Sequence, residues 1–202
     1  MAGQENPSHG LGPAPSAEER LAGEFYDLDF SVHRSRRYHE KLARFYASWR
    51  DRFRIVTACA GSGAFLLIVR DFQVAAEFVT AFVALWAVVD IIVGPDKKHD
   101  LHNELCKRFT GLAAKIQQVP NTKESLRELV AERLLIEQNE PPCKRFVDFE
   151  ARNDECRARG FPPDDFVPLR RWQRELGYYG FQLGMGRIEE WRAARARAAA
   201  AS

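Results

Sequence analysis

Histidine and cysteine are the residues here best suited to chemistry, and His99, His102 and Cys106 recur at steps of three and four, the spacing of one helix face. With Cys143 or Cys156 they are the material for a zinc site. A structural zinc site normally shows two tight ligand pairs, whereas only one loose pair is present, so no metal is expected. The acids Glu137, Glu140, Asp148, Glu150, Asp154 and Glu155 offer carboxylates for acid–base work. They alternate with Lys144, Arg145, Arg152 and Arg157, the pattern of a solvated, ion-paired helix surface. No nucleophile elbow, P-loop, H-E-x-x-H or Rossmann fingerprint occurs. The chain is therefore not expected to be an enzyme, and no catalytic residue, metal or cofactor is assigned.

The other chemically conspicuous residues are charges set into apolar sequence. Phe53–Val69 and Val74–Gly94 are two apolar runs four residues apart in an otherwise highly charged chain. As helices they would measure roughly 25 and 31 Å, against a hydrocarbon core of roughly 30 Å. A hairpin of short transmembrane helices is the expectation, with a buried hairpin of a soluble protein as the alternative. Arg54 opens the first run, Glu77 and Asp90 lie near the ends of the second, and Arg70 occupies the turn. Charges at those depths reach headgroups at modest cost. In a straight hairpin with its apex near residue 72, Arg54 and Asp90 fall at equal depth. That places them as a register-fixing salt bridge or as charges at a pore mouth, with Arg70 and Glu77 as polar groups at the outer end.

Lys41, Arg44, Arg50, Arg52 and Arg54 crowd the entry to the apolar pair, and Lys97, Lys98, Lys107 and Arg108 crowd its exit. The positive-inside bias puts both termini in the cytoplasm and the connecting turn outside. At 202 residues with negative mean hydropathy, the chain is not a polytopic transporter. A net charge of +2 gives no case for nucleic acid as a partner. Cys59, Cys106, Cys143 and Cys156 are widely spaced, and the opening residues lack a secretory pattern, which fits reduced thiols with Cys59 in the bilayer.

The elements that must position these residues are all helical, since nothing alternates with period two over a useful length. Residues 1–24, rich in Gly, Pro, Ser and Ala, are expected to be a disordered tail. A core over 25–119 comprises a juxtamembrane helix from about Ser31, the two spans, and a return helix after Gly94-Pro95. Tyr38, Leu42, Phe45, Trp49 and Phe53 form the stripe of the first, with its arginines facing headgroups. Leu101, Leu105, Phe109 and Leu112 form the matching stripe of the return helix. Residues 120–160 read as a helical pair, begun by Asn121 and Glu124 at capping-box spacing, broken at Glu140-Pro141-Pro142 and ended at Gly160. Residues 161–202 comprise an aromatic and glycine-rich segment and a basic helix.

Thr57, Ala60, Gly61 and Ala64 make the first run rich in small residues, a face suited to close packing of membrane helices. Two spans enclose no water path, so conduction would require a homo-oligomer.

The string SVHRSRRYHEKLARFYASWRDRFRI before the two runs and DKKHDLHNELCKRFTGLAAKI after them resemble the SLATT family of prokaryotic two-span membrane proteins. The resemblance covers about Phe30–Val119, and IEQNEPPCKRFVDFEARNDECRARG is similar to the segment after the spans in some members. It implies an oligomeric, pore-forming effector of a bacterial conflict or anti-phage defence system in the inner membrane. A separate sensor protein or a nucleotide second messenger would gate it. A non-conducting, membrane-anchored adaptor that recruits a cytoplasmic partner is the alternative.

Overall fold

A computed structural model describes residues 16–60, 62 and 73–201. Among them all regular structure is helical. Helix α1 (Ala17–Ala60) is about 66 Å long at 1.5 Å per residue. It starts well before Ser31 and takes in residues 17–24 of the expected tail. The cause is a capping box at its first turn: Glu19 N–H donates to Ser16 Oγ at 3.2 Å, while Ser16 N–H donates to Glu19 Oε2 at 2.7 Å. Beyond it Leu21, Phe25, Leu28 and Val32 continue an apolar stripe at four- and three-residue steps, so this stretch has a face to bury.

Helix α2 (Gln73–Val93) carries the second apolar run. Gly94 follows in the left-handed region at φ 55°, and Pro95 opens helix α3 (Pro95–Ile116). Glycine takes that φ without steric cost, and proline at the first helical position loses no hydrogen bond. The expected break therefore falls at Gly94-Pro95. Helix α4 (Lys123–Glu137) is capped by Thr122, whose Oγ1 accepts from Ser125 N–H at 3.1 Å. The cap sits one residue later than the expected Asn121. Helix α5 (Arg145–Ala158) ends at Gly160, with Phe161 N–H returning to the Cys156 carbonyl at 2.9 Å. A short 3-10 turn (Pro163–Asp165), helix α6 (Arg171–Gly177) and helix α7 (Gly186–Ala201) complete the chain.

α3 lies antiparallel along α1, as the two stripes require. Phe25, Leu28 and Val32 of α1 join Leu105, Phe109, Leu112 and Ile116 of α3 and Leu129 and Ile136 of α4 in one buried cluster. Further along α1, Tyr38, Leu42 and Tyr46 pack on Val147 and Ala151 of α5. Phe45 and Trp49 reach the aromatic segment instead, and Leu101 is 38% exposed. Only part of the expected stripe-to-stripe contact forms, because α5 takes a place on α1 as well.

Arg34, Arg37 and Lys41 on the basic face of α1 are turned towards α5, not towards headgroups, whereas Arg44 and Arg52 are exposed. Arg34 pairs with Asp148, Arg37 with Glu155 at 2.7 Å, and Lys41 with Asp154 at 2.7 Å and Glu150 at 3.3 Å. Arg159 joins Asp29 at 2.6 Å and Glu155 at 2.7 Å. Of the acids expected on a solvated surface, Asp148, Glu150, Asp154 and Glu155 thus form an interhelical seam, while Glu137 pairs with Arg133 of its own helix. Burial opposes ionisation of Glu155, but hydrogen bonds from Arg37 and Arg159 outweigh it and hold its carboxyl below the ordinary range. Glu155→Gln should leave the partly buried Arg37 guanidinium without its counter-charge and Arg159 with Asp29 alone, and cost roughly 3 kcal/mol. A thermal melt at neutral pH measures this, and an unchanged midpoint would remove the seam as a stabilising element.

Candidate functional site

At the junction of α1, α3 and α5 the body holds a chain of buried polar groups. His39 of α1 and His102 of α3 are 0% and 3% exposed, with their Nδ1 atoms 3.0 Å apart. His39 Nε2 lies 3.0 Å from Glu140 Oε1, in the break between α4 and α5. A carboxylate only accepts, so His39 Nε2–H donates to Glu140, and the two Nδ1 atoms share one hydrogen bond, one of them donating to the other. Phe109 stacks on His39 at 5.5 Å, and Tyr46 stacks on His102 at 5.7 Å. Burial, reinforced by His39, Lys144 and Lys98, drives the His102 imidazole down to about 3, so it is neutral at physiological pH.

Lys144, at the N-terminus of α5, closes the cluster. Its Nζ donates to Tyr46 Oη at 3.0 Å and to the Tyr178 carbonyl, and its backbone N–H donates to Tyr38 Oη at 3.0 Å. Burial, then the charge of Lys98, pushes its ionisation down to about 8. Burial likewise raises the Tyr38 phenol, which stays protonated.

An aromatic collar continues from here to the apolar helix. Tyr178 stacks on Phe45 at 5.1 Å, and Tyr179 meets Phe45 and Trp49 edge-on at 5.3 and 6.1 Å. Trp49 and Phe53 then meet Trp86 of α2 at 6.3 and 4.7 Å. The segment after α6 is therefore linked to α2 through the rings of α1.

The residues singled out from sequence are distributed unevenly. His99 and His102 do not converge with the cysteines, since His99 Nδ1–H donates to the Ala43 carbonyl at 3.0 Å and His102 faces His39. Among the described residues no group of His, Cys, Asp and Glu is arranged to hold a metal ion. Arg54 takes Asp96 at 3.6 Å, not Asp90, and Arg50 approaches the same carboxylate at 3.8 Å. The packing of His99 and His102 on α1 sets the depth of α3, which carries Asp96 rather than Asp90 to Arg54. Asp90 lines the same cleft of about 340 Å³, together with Phe53, Thr57 and Ala58. Thr57 turns its hydroxyl to the Phe53 carbonyl at 2.9 Å, and Glu77 is exposed on α2. The Ala60 side chain, Gly61, Ala64 and Arg70 lie outside the described residues.

His39 and Tyr46 of α1, Glu140 and Lys144 are not legible as a site in the sequence, because α1, the α4–α5 break and the start of α5 are joined only by packing and no spacing links them. A buried-histidine signal is present only in that His39 and His102 each fall on the apolar face of a helix.

Within the run Glu77–Ile116, α2 is long and apolar enough to cross a membrane, by length and composition, the one such stretch among the described residues. Comparison with protein-family models, with curated proteins and with solved structures returned no match.

Proposed function

We propose that this chain is an oligomeric membrane effector that inserts α2 and the preceding apolar run as a hairpin and conducts when copies assemble. The observation that carries this reading is the exposure of α2. Phe78, Ile91 and Ile92 are 74%, 81% and 75% exposed, while α1, α3 and α5 form a packed body beside it. Apolar surface in water is disfavoured by about 25 cal/mol per Å², and a soluble monomer rarely leaves so continuous a face uncovered. Lipid and neighbouring copies would cover it. The lysines and arginines flanking the apolar pair support an inner-membrane protein with both termini and the packed body in the cytoplasm. The SLATT-like layout supports a role in bacterial conflict or anti-phage defence, with a separate sensor or a nucleotide signal acting on the body. The polar cluster and aromatic collar are where movement of the body would reach α2.

Reconstitution into liposomes loaded with a self-quenching dye and carrying a potassium diffusion potential tests the reading. Dye release or collapse of the potential is expected, rising more steeply than linearly with protein-to-lipid ratio because several copies enclose one path. Intact potential at every ratio, with protein recovered in the vesicles, would overturn conduction and leave the membrane-anchored adaptor. One observation favours that second reading. Val130, Leu134 and Leu135 of α4 are 39%, 59% and 60% exposed, an apolar face on the cytoplasmic side suited to a protein partner.

A further inference from the structure

Beside the polar cluster a pocket of about 330 Å³ opens between the body and the end of α2, lined by Tyr46, Trp49, Val89, Val93, Lys98 and Lys144 among others. The Lys98 and Lys144 ammonium groups lie 5.6 and 5.1 Å from the centre of the same Tyr46 ring. Elsewhere in the body Arg34, Arg37 and Lys41 are each matched by a carboxylate of α5. Neither pocket lysine has a carboxylate at ion-pairing distance among the described residues; Lys144 holds only a phenol and a carbonyl. Two like charges lie against one ring and line one pocket, and each lowers the cost of bringing an anion between them. Burial, and after it the charge of Lys98, depresses the ionisation of Lys144.

The remaining walls say what the anion is attached to. Val89 and Val93 belong to the last turns of the apolar helix, and Trp49 of α1 meets its Trp86. An occupant therefore meets two cations at one end and an aliphatic and indole surface at the other. We propose that this pocket binds the phosphate of an anionic phospholipid, with both ammonium groups on its oxygens and its glycerol ester region against Val89 and Val93. Bound there, the lipid ties the cytoplasmic body to the base of α2. The proposal rests on the reading of α2 as a span. A soluble phosphate compound offers the same charge without the apolar portion.

Native mass spectrometry of the full chain in detergent, titrated with dioctanoyl phosphatidylglycerol, dioctanoyl phosphatidylcholine and adenosine monophosphate, separates the sources. Phosphatidylglycerol should be retained at least about tenfold more tightly than phosphatidylcholine, and Lys98→Ala should weaken it by about tenfold, the effect of one lost charge-assisted hydrogen bond. Lys98 is exposed, so this variant tests binding without disturbing the fold, and Lys97→Ala, beside the pocket but not lining it, should bind as the wild type does. Equal binding of the two lipids, or no loss in Lys98→Ala, would overturn the proposal. Adenosine monophosphate binding as tightly and displacing the lipid would overturn the lipid assignment in favour of a soluble phosphate. Carbonate extraction of cell membranes carrying the same chain judges the span separately: release of the protein would defeat the span while the titration still reads the pocket.

Discussion

Arginines placed together at Ala81 and Leu85 should shift the protein from the membrane fraction to the soluble or aggregated fraction by more than about a hundredfold. Both residues are exposed near the middle of α2, on a helix of 21 residues with its charged groups at Glu77 and Asp90. A guanidinium near the bilayer centre costs about 2.5–3.5 kcal/mol on insertion scales, so two cost about 5–7 kcal/mol, and tenfold corresponds to about 1.4 kcal/mol. Neither substitution touches the buried clusters of the body, so the helical signal of that part should survive. Leu101→Arg, on α3 and outside the apolar run, is the control and should leave partition unchanged. Carbonate-resistant membrane association measures the effect. Retention of the double-arginine variant at wild-type level would mean that α2 is covered by protein and not by lipid.

The second large effect concerns acid. His102 is buried and neutral, and it takes a proton in the folded state only near pH 3, against an ordinary value of 6.5. Between those values the unfolded chain binds more protons than the folded one, so stability is complete above about 6.5 and falls as the pH is lowered. At about 1.4 kcal/mol per unit, roughly 2 kcal/mol should be gone by pH 5, and on the order of 4–5 kcal/mol near pH 3. The groups facing His102 are His39 from α1, with Glu140 behind it, Lys98 from its own helix and Lys144 from the start of α5. Lys144 leaves the acid limb alone, since it is protonated in both states there; its own contribution is a rise in stability from about pH 8 towards 10.5. Glu155, with a carboxyl held below 4.5, adds its loss only at lower pH. Thermal melts in detergent at pH 7 and pH 5 should show the fall in the wild type. His102→Gln, which keeps a hydrogen-bonding side chain beside His39 but does not titrate, should show little change over that interval. An equal fall in the variant would assign the acid limb to other groups.

Local signals in the sequence determined the helical class, the break at Gly94-Pro95, the stop at Gly160 and the apolar character of α2. Each rests on residues adjacent in the chain: a glycine that takes a positive φ, a proline without an N–H, a run long enough to match a bilayer. The Ser16–Glu19 capping box is equally local, but it lies in a stretch whose glycines and prolines suggest a tail, and that composition hides the true start of α1. Tertiary structure alone decided which charges meet. Arginines of α1 are as compatible with lipid phosphates as with carboxylates, and only the docking of α5 joins Arg34 to Asp148 and Arg37 to Glu155. Register decided Arg54 in the same way: equal depth assumes a straight hairpin, whereas the contacts of His99 and His102 with α1 bring Asp96 to it and leave Asp90 along the cleft. His39, His102, Glu140 and Lys144 come together from separate elements, because a buried polar group must find partners wherever packing supplies them and no spacing along the chain records where that will be.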